Sequence, residues 1–148
     1  MSVEIIETAT QELTDAMARL IPQLSSSSPA LTPEETTRFV SQPSVKLFVF
    51  RTDTEDDTPG PIEGMLTLVL FHIPTGLRAW IEDVVVSEET RGQGAGRQLT
   101  EAAVEYARQA GARTVDLTSR PSREAANRLY QRCGFEKRHT NVYRFRIN

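Results

Sequence analysis

The chain has 148 residues, 39% hydrophobic and 25% charged, which fits one globular domain able to bury its own core. With 17 Lys and Arg against 20 Asp and Glu the net charge is -3, which argues against a nucleic-acid binder and suits a cationic or neutral substrate. A lone cysteine, Cys133, excludes an intrachain disulfide, no apolar run nears the ~18 residues of a membrane span, and the acidic N-terminal stretch MSVEIIETATQEL does not read as a signal peptide, so the expected setting is the reducing cytoplasm.

In chain order, VEIIE (3–7) alternates loosely and predicts a first strand. Residues 10–24 place Leu13, Met17, Leu20, Ile21 and Leu24 at helical spacing. After the polar loop 25–31, TPEE (32–35) predicts a second helix: Thr32 caps, Pro33 takes the first helical position and Glu35 completes a capping box. VKLFVF (45–50) predicts a strand, followed by an acidic stretch 51–61 and a further strand at 64–71. The acidic run DTEDD (53–57) reads as a solvated loop, with a cation-attracting rim as the alternative. WIEDVVV (80–86) is the next strand, 97–110 an amphipathic helix stopped by Gly111, and RTVDLTS (113–119) another strand. A helix over 122–134, capped by Ser122 and stopped by Gly134, precedes one or two strands in 135–147. The order β-α-α-β-β-β-α-β-α-β-β predicts a single α/β (α+β) layered domain over residues 1–148, a mixed sheet with helices.

RGQGAG (91–96) packs three glycines into six positions between a strand and a helix. Glycine permits positive φ and close approach of a ligand to the main chain. Successive N–H groups beside a helix N-terminus form an anion site suited to phosphate, to which Arg91 and Arg97 add charge. A Walker A loop is excluded because no lysine follows. The dinucleotide pattern G-x-G-x-x-G fails as well: counted from Gly92 the sixth position is Arg97, and from Gly94 it is Leu99.

The pattern that fits is R-x-x-G-x-G, and downstream stands AANRLYQRCGF (125–135), an A-x-x-L-Y-x-x-x-G-F arrangement. Together these resemble the GNAT superfamily of acetyl-CoA-dependent N-acetyltransferases, over residues 64–135. The resemblance implies the acyl-CoA N-acyltransferase fold: a mostly antiparallel central sheet, splayed at its middle, with helices on both faces. It implies acetyl-CoA as co-substrate. The pyrophosphate would lie on Arg91, Gly92, Gln93, Gly94, Ala95 and Gly96, with Arg97 nearby, and the pantetheine arm beside Val84, Val85 and Val86. It also implies Tyr130 near the thioester sulfur, as proton donor to the departing thiolate. One departure is Arg123, which stands where many members carry an asparagine seven residues before the tyrosine; it either reaches a coenzyme phosphate or is a solvated helix residue.

An alkyl amine is protonated at neutral pH, so attack on a thioester needs a base or a water chain. Glu82 and Asp83, just before the valines, are the candidates, and strict alternation would let only one face the amine cleft. Glu82 is favoured, acting through water; the alternative is that both carboxylates are structural. Tyr130, at helical spacing with Ala126 and Cys133, also fits a plain core role, and Trp80 reads as core. Cys133 reads as a buried structural thiol. His72 and His139 have no partners at ligand spacing, so no metal is expected. The arginines 120, 123, 128 and 132 lack the aromatic interleaving of a nucleic-acid face.

The expected function is N-acetyl transfer to a primary amine in a ternary complex. The alternatives are a non-catalytic acyl-CoA-binding or regulatory module, or a protein lysine or N-terminal acetyltransferase. The expected partner is a small-molecule or protein amine, with no nucleic acid and no membrane; a homodimer is left open.

Overall fold

The computed structural model describes residues 2–56 and 58–148; Asp57, the last residue of the acidic run, lies outside them. The chain separates into two compact units, Met1–Thr118 and Ser119–Asn148.

The first unit opens with β1 (Ser2–Ile6) and two helices, α1 (Gln11–Leu24) and α2 (Pro33–Val40). Each helix starts where its sequence provides a cap. The Leu13 N–H donates to Thr10 Oγ1 at 3.1 Å. At α2 the capping box is complete: the Glu35 N–H donates to Thr32 Oγ1 at 3.1 Å, and the Thr32 N–H donates to Glu35 Oε1 at 3.0 Å. Hydrogen bonding of the carboxylate to the Thr32 backbone N–H, and then to the Thr32 side chain, holds the Glu35 carboxyl below its ordinary pKa.

Three long strands follow, β2 (Val45–Asp53), β3 (Pro59–Ile73) and β4 (Gly76–Val86). β3 and β4 are longer than the apolar runs that predicted them, because the ladder continues through the polar hairpin ends. After a 3-10 turn at Glu88–Thr90 come α3 (Ala95–Ala110) and β5 (Val115–Asp116). The sheet order is β1-β2-β3-β4-β5, with every neighbouring pair antiparallel except β4 and β5.

The two faces of the sheet follow from alternation. Leu47, Val49, Met65 and Val85 pack with Leu13, Ala16, Met17 and Leu20 of α1 and Val40 of α2. On the other face Phe48 meets Tyr106 of α3 edge-to-face, ring centroids 5.9 Å apart. Arg51 ties three elements together, donating to both carboxylate oxygens of Glu12 at 2.8 and 2.7 Å and to the Gly60 carbonyl at 3.0 Å.

The predicted strand 113–119 shortens to Val115–Asp116, because its ladder with β4 holds two residue pairs and ends at Trp80 and Asp116. Among the described residues, 81–86 of β4 therefore have a strand neighbour on one side alone, β3.

In the second unit α4 runs Glu124–Arg132. Ser122 is not its cap. The Arg123 N–H donates to the Arg120 carbonyl at 3.0 Å, so the chain is still turning at Pro121 and Ser122, and Arg123 holds the cap position. The helix ends as the sequence predicts, with Gly134 at φ 97. No strand forms in 135–147. Alternation there sets which way side chains point, but a strand also needs a partner edge, and alternation does not supply one.

Candidate active site

The site is built where β4 breaks its own regularity. Thr67 of β3 pairs with Glu82, but the next pair is Met65 with Val85, so Asp83 and Val84 together oppose Leu66. This is a β-bulge, and Asp83 is its twisted residue at φ 50, the one described non-glycine residue with positive φ. Aspartate is among the few residues that accept this conformation.

The bulge interrupts the strict alternation from which Glu82 and Asp83 are read. Regular alternation would put Asp83 on the α3 side with Ala79 and Ile81, which are 0% and 3% exposed. The extra residue turns it out, and Glu82 and Asp83 are both exposed. Beyond the bulge the alternation is reset, so Val85 is buried against α1 while Val84 and Val86 are half-buried. A ligand beside these valines would meet the main chain of Val85, not its side chain.

β4 ends in a braced turn. The Ser87 N–H donates to the Glu63 carbonyl at 2.7 Å, and the Glu88 N–H to Gln23 Oε1 of α1 at 3.1 Å. Thr90, 4% exposed, donates its hydroxyl to Glu63 Oε2 at 3.4 Å, and Arg19 of α1 lies 3.7 Å from Glu63 Oε1. Sequence reasoning missed Glu63, Gln23 and Arg19, because contacts this distant in sequence leave no local pattern.

The glycine stretch leaves that brace. Gly92 and Gly94 have φ 88 and 79, and a Cβ on either would meet nothing within 4 Å. Their backbone conformation, not crowding, calls for glycine. Gly94 is the N-cap of α3 and no side chain caps the helix, so α3 starts two residues earlier than the pattern predicted, inside the motif at Ala95. The first N–H groups of such a helix have no intrahelical partner and face outward with the positive end of its dipole. Arg91, Gly92, Gln93 and Gly94 are exposed and Gly96 is half-buried, whereas Ala95 is buried at 2% and anchors the turn. Arg97 is exposed and paired with Glu101 one turn along.

Tyr130 belongs to the second unit. Its motif has a physical basis in the helix stop. The Phe135 N–H donates to the Tyr130 carbonyl at 2.9 Å and the Gly134 N–H to the Gln131 carbonyl at 3.0 Å, the pair of bonds of a Schellman motif. That turn brings the Phe135 ring onto Tyr130, centroids 5.9 Å apart. Tyr130 is 7% exposed. Burial pushes its phenol above the ordinary tyrosine value, with Arg123 opposing and Cys133 adding to the rise. Asn127 donates to the Arg120 carbonyl at 3.0 Å and braces the turn before the helix. Cys133 is half-buried at the helix end.

Among the described residues no group of three His, Cys, Asp or Glu could hold a metal ion, and no helix is long and apolar enough to cross a membrane.

Comparisons with known proteins agree with this geometry. Residues 12–135 match the model of the acetyltransferase (GNAT) family. An N-alpha-acetyltransferase 30 of Schizosaccharomyces pombe is 35% identical over 77 residues, covering 52% of this chain and 51% of that protein. An aminoalkylphosphonate N-acetyltransferase of Salmonella typhimurium is 38% identical over 84 residues, covering 54% of this chain and 53% of that protein. The chain thus spans about half the length of these curated relatives. Among solved structures, a putative acetyltransferase from Agrobacterium tumefaciens superposes with TM-score 0.81 at 27% identity, covering 99% of this chain and 100% of that one.

Proposed function

This chain belongs to the acetyltransferase (GNAT) family, and we propose that it transfers an acetyl group from acetyl-CoA to a primary amine by direct attack, with both substrates bound together. The observation that carries this reading is the one-sided edge of β4 at residues 81–86 leading into the Gly92–Gly94 turn. An extended chain can pair with such an edge, and an anion can sit at the uncapped helix start just beyond it.

The residues present fit the coenzyme. The main chain of Val84, Val85 and Val86 pairs with the pantetheine arm. The N–H groups from Arg91 to Gly96 take the pyrophosphate, and Arg91 and Arg97 add positive charge. The open space around Gly92 and Gly94 supports that approach. Bound acetyl-CoA supplies the activated acyl group. Holding it beside the amine removes much of the entropic cost of their encounter, on the order of 7 kcal/mol or more in favourable cases.

Glu82 takes the proton of the incoming ammonium group through water; its exposure on the α1 side of the sheet supports this role. N–H groups on the open edge of β4 stabilise negative charge on the reacting carbonyl oxygen. Tyr130 gives a proton to the departing sulfur, a role assigned from its place in the A-x-x-L-Y-x-x-x-G-F motif; its phenol is protonated at neutral pH, as an ordinary tyrosine is. The relatives include an aminoalkylphosphonate N-acetyltransferase and an N-alpha-acetyltransferase, so small amines and peptide amines are both acceptor candidates. The net charge of -3 favours a cationic one. We assign the enzyme to the cytoplasm, where the lone Cys133 would stay reduced.

The test is a thermal-shift titration with acetyl-CoA, then thiol release with small amines and N-terminal peptides as acceptors. Stabilisation by acetyl-CoA and thiol release with one class supports the reading. No stabilisation overturns it, and stabilisation without thiol release from any amine favours a non-catalytic acyl-CoA-binding module.

A further inference from the structure

The indole N–H of Trp80 donates to Glu82 Oε1 at 2.8 Å. Two residues apart on a strand, both side chains stand on the same face of β4. They lie opposite Val69 and Thr67 of β3, with the bulge at Asp83 directly after. Tryptophan offers one polar group, a donor, and an ionised carboxylate only accepts, so the bond can form in one sense alone. Trp80 is half-buried and fixed between two strands, by Val69 on one side and Asp116 of β5 on the other. Glu82 is exposed, at the last regular position before the strand twists. Its flexible side chain is thereby tied to a rigid one.

We infer that Trp80 is a positioning residue that holds the Glu82 carboxylate in one orientation toward the acceptor amine. The inference rests on the reading of Glu82 as the base. The charged neighbours leave the pair intact. Arg78, on the same face, is ion-paired with Asp116 at 2.8 Å. Asp83 follows in the chain, and Thr67 and Val69 carry no charge. Arg19, from the α1 helix that packs on this face, is held on the Ile62 carbonyl and beside Glu63.

Trp80 is the one tryptophan in the chain, so it reports on its own partner. Removing the acceptor with Glu82→Ala should shift its emission maximum in the ligand-free protein, and Glu82→Gln, whose amide oxygen can still accept the indole N–H, should shift it less. In kinetics, Glu82→Gln should lower kcat by about 100-fold or more. Trp80→Phe should lower kcat by about 3- to 10-fold and leave KM for acetyl-CoA unchanged. An emission maximum unchanged in Glu82→Ala overturns the pairing without any change at Trp80. A folded Trp80→Phe enzyme with native kcat, beside a slow Glu82→Gln enzyme, overturns the positioning role alone. Native kcat in Glu82→Gln overturns the base assignment itself, and the positioning role with it.

Discussion

The Ser87 N–H donates to the Glu63 carbonyl oxygen at 2.7 Å, and this bond fixes the point at which β4 hands over to the glycine turn. The Glu63 side chain holds the same turn from the other end through Thr90, with Arg19 beside it. Glu63→Ala keeps the backbone bond and removes the side-chain brace. It should speed amide exchange across residues 87–94 and weaken acetyl-CoA binding by about 3- to 10-fold, the scale of one or two hydrogen bonds. Exchange and calorimetric titration check the two effects together.

Gly94 sets the start of α3 in a left-handed conformation. Gly94→Ala meets no neighbouring atom, so its cost is conformational, about 1 kcal/mol. The variant should unfold slightly earlier in urea. It should also lose most of its stabilisation by acetyl-CoA, because the strained turn relaxes and its N–H groups no longer converge.

Asp83 carries the bulge at φ 50. Asp83→Gly should fold as well as the native chain. Asp83→Val should lose about 1–3 kcal/mol, since a β-branched residue in this conformation is a steric outlier. If both variants unfold at the native urea midpoint, the bulge is not where the twist is stored.

Burial raises the Tyr130 pKa above that of the unfolded chain. Its contribution to stability is therefore fully present below the ordinary tyrosine value of about 10 and is lost as pH rises through the higher folded value. Tyr130→Phe should flatten this alkaline loss, measured as urea stability across that range. The same variant should lower kcat by about 100-fold, with acetyl-CoA binding retained.

Much of this was legible in the sequence, for reasons that differ by element. Thr32 and Glu35 predicted a capping box because all its bonds lie within four residues. Gly134 predicted a helix stop because the bonds of that stop lie within six residues, Tyr130 to Phe135, and the same turn sets the Phe135 ring on Tyr130. The bulge at Asp83 was not legible, because it depends on how β3 pairs with β4, and EDV alternates acceptably as a plain strand. The brace on Glu63 joins α1, β3 and the turn after β4 and leaves no local trace. The Trp80–Glu82 bond lay within reach, since W-x-E on a strand puts both side chains on one face. Trp80 reads as core from its composition alone. The strands expected in 135–147 did not form, since alternation specifies a face but not a partner edge.

The most direct test of the central claim is an amide-resolved NMR titration of the chain with coenzyme A. The account predicts that the largest shifts fall on the main chain of residues 84–97, with the glycine-turn amides moving most. Binding with those amides unmoved, or no binding at all, would contradict it.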